Sequence, residues 1–313
     1  MDKAGMKTTP PVAYVFPGQG SQSVGMGLDL CRNSPAAKQV FDEADQALDM
    51  PLSQLCFEGL EEDLRQTVNA QPAIMTMSIA CLRAALEHNH PPKPSFVAGH
   101  SLGEYAALVA ANAVDFADGL RLVRERGRLM QEAGELRPGS MAAIIGLDKT
   151  SLEEVCQECG AQIANINSPE QIAISGPKEA VARAMELAKA RGARRAMPLQ
   201  VSGAFHSPLM QSAVDGMAQA ISQTTFRDPD VPIIANSTAR PLTTASQIKE
   251  ELLLQLCNCV RWQPSVEYIM DNGVSTFIEI GPGRVLSGLI KRIHGEAQVF
   301  NMSDIASIKA INI

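Results

Sequence analysis

Short apolar runs alternate along the chain with longer stretches in which apolar residues recur at helical spacing. The runs predict strands at 12–16, 94–98, 233–236 and 276–280. Helical spacing predicts helices at 34–47, 73–87, 104–111, 116–133 and 285–293, with the last of these closing the fold. Helices that alternate with short buried strands predict an α/β fold with a mostly parallel sheet.

The middle of the chain has a different order of elements. After Pro138 and Gly139 the pattern predicts β-α-β-β-α-β, which is a ferredoxin-like arrangement. The predicted elements are strands at 141–147, 162–167, 171–175 and 194–200 and helices at 151–159 and 178–191. We therefore expect a large α/β domain formed by 12–138 and 201–313, a small ferredoxin-like subdomain inserted at 139–200, and a loose N-terminal tail at 1–11.

The composition excludes several classes of function. With 313 residues, 45% of them hydrophobic, the chain can bury a sizeable core. Its net charge of −7 argues against nucleic acid as a partner. No apolar run approaches the roughly 18 residues of a membrane span, and the first residues lack the apolar core of a signal peptide. The seven cysteines are scattered, and the one C-x-x-C pair, Cys156 and Cys159, has no second pair at zinc-ligand spacing. They predict a reducing, cytoplasmic location and no metal site.

The pattern Gly99-His100-Ser101-Leu102-Gly103 carries the clearest chemical signal. It stands between a predicted strand and a predicted helix, which is the context of a nucleophile elbow in hydrolase-like α/β folds. Glycine on both sides leaves space for a tight turn, and the following helix directs free N–H groups at the serine. The sequence therefore predicts Ser101 as a catalytic nucleophile.

A serine hydroxyl needs a base, and the chain has five histidines. His88 and His90 lie in a polar segment and are expected to be solvated, and His294 lies at a helix end. We expect His100, beside the serine, to pack beneath the elbow. His206 lies on a loop that enters a helix and is the strongest candidate for the base.

Four sequence blocks together resemble a known family. They are Phe16-Pro-Gly-Gln-Gly-Ser-Gln22, Gly99-His-Ser-Leu-Gly-Glu-Tyr105, Phe205-His206-Ser207 and Glu279-Ile-Gly-Pro-Gly283. In order and spacing they are similar to the malonyl-CoA:acyl carrier protein transacylases of fatty acid synthesis, which are related to polyketide acyltransferase domains. The resemblance runs from about residue 12 to residue 293.

The resemblance assigns the catalytic roles. It implies that Ser101 attacks a thioester and that His206 takes the proton and later returns one to the leaving thiol. Backbone N–H groups of Gln19 and Leu102 would form the oxyanion hole. In the family a backbone carbonyl orients the base, and its position matches Gln255. Just after Gln255 the chain departs from the family pattern, because Cys257 and Cys259 stand where Tyr and Pro are usual.

The resemblance also implies substrate contacts. Arg126 matches the arginine that pairs with the malonyl carboxylate, although its position among other arginines equally fits a solvated helix residue. Phe205 matches a residue that crowds an α-methyl branch and so favours malonyl over methylmalonyl groups. Gln71 and Asn167 match residues facing the active site, and from sequence alone they equally fit polar residues of a turn and a strand end.

The implied partners are malonyl-CoA and acyl carrier protein, with no organic cofactor or metal. Because CoA and the carrier are acidic, a local basic patch is expected. Two clusters qualify, one with Lys189, Arg191, Arg194 and Arg195 and the other with Arg284, Lys291 and Arg292. Three alternatives remain open: a polyketide-pathway acyltransferase, a serine thioesterase or other hydrolase, and a non-catalytic acyl-CoA sensor.

Overall fold

The computed structural model describes residues 10–88 and 90–311. Most of the tail predicted at 1–11 therefore lies outside the described residues. Among the described residues, no helix combines the length and apolar character needed to cross a lipid bilayer.

The strands form two separate sheets. In chain order they are β1 Val12–Phe16, β2 Phe96–Gly99, β3 Gly139–Ile145, β4 Gln162–Ser168, β5 Gln171–Pro177, β6 Arg195–Pro198, β7 Ile233–Ile234, β8 Pro241–Leu242, β9 Thr276–Ile280 and β10 Gln298–Met302.

Helices connect these strands and cover the sheets. In chain order they are α1 Leu28–Asn33, α2 Pro35–Leu48, α3 Leu52–Glu58, α4 Glu61–Arg65, α5 Thr67–His88, α6 Gly103–Ala110, α7 Phe116–Leu136, α8 Lys149–Cys159, α9 Lys178–Ala190, a 3-10 turn Pro208–Met210, α10 Gln211–Ser222, α11 Ala245–Cys257, α12 Trp262–Asp271, α13 Val285–Ile293 and α14 Ile305–Ala310.

The larger sheet has the order β10-β9-β1-β2-β7-β8 and is parallel except for the β7–β8 pair. Alternate side chains of β1 enter different cores: Val12, Tyr14 and Phe16 join one cluster, and Ala13 and Val15 join the other. A strand buried on both faces is typical of a parallel sheet covered by helices on each side. The predicted α/β fold with a mostly parallel sheet is confirmed.

The smaller sheet has the order β4-β5-β3-β6, and all of its neighbouring strands are antiparallel. It packs against α8 and α9 around a core of its own. Its elements follow one another as β-α-β-β-α-β between α7 and the loop that carries His206.

The sequence prediction was wrong at several places, and three of them are the most informative. The helix at 285–293 does not close the fold, because β10 and α14 follow it; the strand β10 lies at the sheet edge and is only partly buried, so its apolar pattern is weak. The strand expected at 233–236 ends at Ile234. The helix expected at 73–87 begins six residues earlier, at Thr67.

That early start depends on a donor from another helix. Pro72 lies inside α5 and has no N–H to offer the carbonyl of Val68, four residues before it. Arg124 of α7 donates to this carbonyl at 2.7 Å. The carbonyl that the proline leaves without its helical donor is thus bonded from 56 positions away in sequence, by a partner that the local pattern does not reveal.

Candidate active site

A cleft of about 280 Å³ opens at the carboxyl ends of β1 and β2. The register pairs Phe16 with Gly99, so the loops after both strands leave the sheet side by side. Ligands of open α/β sheets bind at this edge. The cleft contains eight of the residues singled out from the sequence, which are Gln19, Gln71, Ser101, Leu102, Arg126, Asn167, Phe205 and His206.

Ser101 lies on a sharp turn between β2 and α6. Its φ of 54° is left-handed, a conformation that costs a non-glycine residue energy and recurs at functional sites. A Cβ on Gly99 would lie 1.9 Å from the carbonyl carbon of Gly103, and a Cβ on Gly103 would lie 2.2 Å from the carbonyl oxygen of Phe16. The flanking glycines are therefore required by close backbone packing as well as by the turn.

Asn236 holds this turn from the end of β7. Its Oδ1 accepts from the backbone N–H of Ser101 at 2.7 Å, and its Nδ2 donates to the carbonyl of Gly99 at 2.7 Å. The sequence analysis placed this residue at the end of a predicted strand and gave it no role.

His206 lies against the serine. Its Nε2 is 2.8 Å from Ser101 Oγ, and its Nδ1 is 2.8 Å from the backbone carbonyl of Gln255. Because a carbonyl only accepts, Nδ1 carries the proton, and Nε2 is left free to accept the serine proton. This is the arrangement of a general base oriented by a main-chain carbonyl.

Burial and, to a smaller extent, the nearby charge of Arg126 lower the pKa of His206 from its ordinary 6.5 to about 3. A lowered pKa keeps the unprotonated, proton-accepting form at neutral pH and loses it only as the pH falls through the lowered value. The base is therefore ready to act without a change of charge.

This charge state predicts how an acylation of Ser101 by a thioester would depend on pH. We expect kcat/KM for acylation to stay flat between about pH 5 and pH 8, because kcat/KM reports the free enzyme's base and that base is already unprotonated. Stopped-flow measurement of acylation across this range is the check. A fall with a midpoint near 6.5 would show that His206 titrates as an ordinary histidine.

Gln19 and Leu102 both line the cleft beside the serine. Gln19 is three residues after β1, and Leu102 follows Ser101 at the start of α6. Within residues 10–88 and 90–311, neither N–H has a hydrogen-bond acceptor. Free donors beside a nucleophile are the geometry of an oxyanion hole.

Arg126 is buried and aimed at the serine, with only 1% of its surface exposed. Nη2 donates to Ser101 Oγ at 3.0 Å and to Gln255 Oε1 at 2.7 Å, and Nη1 donates to Gln71 Oε1 at 2.7 Å. Its Nε has no partner among the described residues. The solvated-residue interpretation of Arg126 is therefore wrong, and a buried guanidinium with an unused donor points to an anionic ligand.

The arginines beside it on α7 have other partners. Arg121 pairs with Asp118, Arg128 pairs with two glutamates, and Arg124 bonds near the start of α5. Arg126 is the member of this group that lines the cleft.

Gln71 and Asn167 come from opposite sides of the cleft. Gln71 lies inside α5, which excludes the turn interpretation, and Asn167 lies near the end of β4 in the smaller sheet. The Oδ1 of Asn167 is 2.8 Å from Nε2 of His100. His100 therefore lines the cleft and contacts the smaller sheet, and its ring packs against the buried Trp262, with 5.7 Å between the ring centroids.

Phe205 is buried and lines the cleft next to His206. Cys257 and Cys259 follow Gln255 and do not line the cleft; burial raises the pKa of both thiols. The carbonyl of Gln255 reaches His206 with these cysteines in place.

The chain is similar to known proteins over nearly its whole length. The family model "Acyl transferase domain" matches residues 13–309. A malonyl CoA-acyl carrier protein transacylase of Bacillus subtilis is 47% identical over 303 residues, which are 95% of both chains.

Solved structures are similar over nearly the whole chain. The malonyl CoA-acyl carrier protein transacylase of Coxiella burnetii has a TM-score of 0.93 and 41% identity, covering 96% of each chain. A malonyl-transacylase in complex with its type II PKS acyl-carrier protein has a TM-score of 0.92 and 44% identity, covering 95% of this chain and 97% of that one. The chain therefore belongs to the malonyl-CoA:acyl carrier protein transacylase family of acyl transferases.

Proposed function

We propose that the protein transfers a malonyl group from malonyl-CoA to the phosphopantetheine thiol of acyl carrier protein through a malonyl-Ser101 intermediate. The observation that carries this proposal is the buried guanidinium of Arg126, 3.0 Å from Ser101 Oγ. A fixed cation beside the nucleophile suits an acyl group that ends in a carboxylate.

In the first half-reaction, Nε2 of His206 takes the proton of Ser101 Oγ as the oxygen attacks the thioester carbonyl. The N–H groups of Gln19 and Leu102 stabilise the resulting oxyanion. When this intermediate collapses, the carbon–sulfur bond breaks and His206 returns its proton to the CoA thiol. Malonyl-Ser101 and free CoA are the products.

The second half-reaction runs the same steps with a new nucleophile. The carrier thiol gives its proton to His206 and attacks the serine ester, and collapse returns the proton to Ser101 Oγ. The carbonyl of Gln255 holds the base in one tautomer throughout, with no carboxylate in the triad. We further propose that serine, base and oxyanion hole suffice, so that no metal or organic cofactor takes part.

We assign the remaining cleft residues to substrate selection. Arg126 binds the malonyl carboxylate, and Gln71 holds one end of its guanidinium. Phe205 limits space for an α-methyl branch, a preference worth about 1–3 kcal/mol and so incomplete. Asn167 contacts the substrate from the unit 139–200, which we propose is an inserted ferredoxin-like subdomain between the two parts of a large domain, 12–138 and 201–313.

We propose that the carrier protein docks on basic residues at the cleft mouth. Arg195 and Arg292 line a hollow together with Gln171, which also lines the cleft. Neither arginine forms an ion pair within the described part of the chain. Lys189 and Arg191, by contrast, are paired with glutamates on α8 and α9 and have little charge to offer an acidic partner.

Reversing the charge of Arg195 and Arg292 together, to glutamate, is expected to lower kcat/KM for carrier protein about tenfold or more at low salt, with a smaller effect at high salt. Acylation of Ser101 by malonyl-CoA should change less. Arg121→Glu, on an exposed face away from the cleft, is the matched control. If the double variant loses no more than this control, the patch does not bind the carrier.

Steady-state kinetics test the proposed function. Varying malonyl-CoA at several carrier concentrations should give parallel double-reciprocal lines, the signature of a covalent intermediate. Intersecting lines would contradict it.

Because one solved relative is a complex with a type II PKS acyl-carrier protein, a polyketide carrier is the second candidate acceptor. The ratio of kcat/KM for the two carriers decides between them. We place the reaction in the cytoplasm.

A further inference from the structure

A buried carboxylate stands behind the elbow and takes no part in the mechanism above. Glu104 is on the first turn of α6, three residues after Ser101, and its side chain is fully buried. Oε1 accepts from the backbone N–H of Asn236 at 2.9 Å and from its Nδ2 at 3.1 Å. Oε2 accepts from Nε2 of Gln255.

The two partners of Glu104 reach the reacting groups. Asn236 bonds the backbone on both sides of the elbow turn. Gln255 makes three further contacts: Nε2 donates to the carbonyl of Ser101 at 3.0 Å, Oε1 accepts from Arg126 at 2.7 Å, and its own carbonyl lies at His206 Nδ1.

Every partner of the Glu104 carboxylate is an N–H donor. Burial, together with the charge of the neighbouring Glu251, raises the pKa of this carboxyl well above its ordinary value, although the donors from Asn236 and Gln255 and the charge of Arg126 oppose the rise. The raised pKa favours protonation, whereas the bonding geometry, in which both oxygens accept, favours the ionised form. A protonated Glu104 would turn one oxygen into a donor facing an N–H group, so the bonding pattern fits the carboxylate.

This pattern fixes which way the amide of Gln255 points. A side-chain amide has an NH₂ group that donates and an oxygen that accepts. Glu104 and the carbonyl of Ser101 are both acceptors, so the NH₂ group of Gln255 must face them. The acceptor end then faces Arg126 and, with Gln71, holds the two Nη atoms of its guanidinium.

We propose that Glu104 is a positioning residue for acyl transfer: by fixing the amide of Gln255, it aims the guanidinium of Arg126 at the carboxylate of the acyl group. This inference rests on the proposed malonyl transfer. It extends selectivity to a residue that does not line the cleft.

Glu104→Gln is the direct test. Glutamine can offer only one acceptor oxygen, and two N–H groups of Asn236 compete for it against one from Gln255. We expect the side-chain oxygen of the new glutamine to keep its bonds with Asn236. Its NH₂ group then faces the Nε2 donor of Gln255, and two donors cannot bond each other. The amide of Gln255 must turn away, so that its Oε1 no longer accepts from Arg126. The ratio of Ser101 acylation rates with malonyl-CoA and acetyl-CoA should fall about 10- to 100-fold.

A purely electrostatic role predicts the opposite sign. Removing a negative charge near Arg126 would strengthen its attraction for a malonyl carboxylate, and the ratio would rise. An unchanged or raised ratio in Glu104→Gln therefore overturns the proposal. Combining Glu104→Gln with Arg126→Ala should lower the ratio no further than Arg126→Ala alone, because both act through one interaction.

Glu251→Gln is the matched control, since Glu251 is a second buried carboxylate, one helical turn before Gln255, that bonds Ser237 instead. Its ratio should stay within about twofold of the unmodified protein.

If Glu104→Gln does not fold, Gln255→Leu is the deciding variant. It keeps the backbone carbonyl at His206 and should lower the ratio of the two acylation rates equally. An unchanged ratio in Gln255→Leu also overturns the proposal. If the unmodified protein forms no malonyl adduct, the proposed function fails instead.

Discussion

Replacing Ser101 by alanine is expected to lower the rate of malonyl transfer by about 10⁴- to 10⁶-fold, because no other hydroxyl lies within reach of His206 Nε2 among the described residues. The residual rate would come from groups that bind and polarise the thioester without attacking it. Transfer from malonyl-CoA to carrier protein, followed by mass spectrometry of the carrier, is the measurement.

The variant should keep its fold and its affinity for malonyl-CoA. Alanine fills no new space, and the left-handed backbone strain at position 101 is already present with serine. Thermal unfolding and equilibrium binding are the controls. Retained function in Ser101→Ala would favour the acyl-CoA sensor, because a binding module needs no nucleophile.

Arg126→Ala is expected to have the second largest effect, a loss of about 10²- to 10³-fold in acylation by malonyl-CoA. The substrate carboxylate would enter a buried cleft without its cation. Acylation by acetyl-CoA should change far less, because an acetyl group has no charge to pair. Comparing kcat/KM for the two donors measures the difference.

Arg121→Ala is the matched control, since Arg121 lies on the same helix, pairs with Asp118 and does not line the cleft. It should leave the ratio of the two donors unchanged. Equal losses with malonyl-CoA and acetyl-CoA in Arg126→Ala would remove the carboxylate-binding role. A serine hydrolase that releases free acid would also show no dependence on Arg126.

The elbow could be predicted from sequence because its determinants are local. Gly99, Ser101 and Gly103 lie within five positions, between a strand pattern and a helix pattern. The parallel sheet followed from the same kind of signal, repeated along the chain. His206 could be ranked above the other histidines by its loop position, but its distance from Ser101 could not be derived.

The supports of the site could not be predicted, because they act over long sequence separations. Asn236 contacts the elbow from 135 positions away, and Gln255 contacts the carbonyl of Ser101 from 154. The helix pattern that contains Glu104 looks the same whether that side chain faces water or the core. A base held by a backbone carbonyl leaves no residue type to search for, so Gln255 came only from the family resemblance.

The burial of Arg126 has the same cause. Four arginines lie close together on α7, and nothing in their spacing tells one from another, because the difference lies in what the helix packs against. Helix α5 supplies Gln71 and helix α11 supplies Gln255, and only the fold brings both to one guanidinium.

The covalent intermediate is the central claim, and intact-protein mass spectrometry tests it most directly. The protein is mixed briefly with malonyl-CoA, its mass is measured, and carrier protein is then added. We predict a malonyl adduct on Ser101 that disappears as the carrier gains the same mass. An adduct lost as free malonate without a carrier, or no adduct despite bound malonyl-CoA, would contradict the account.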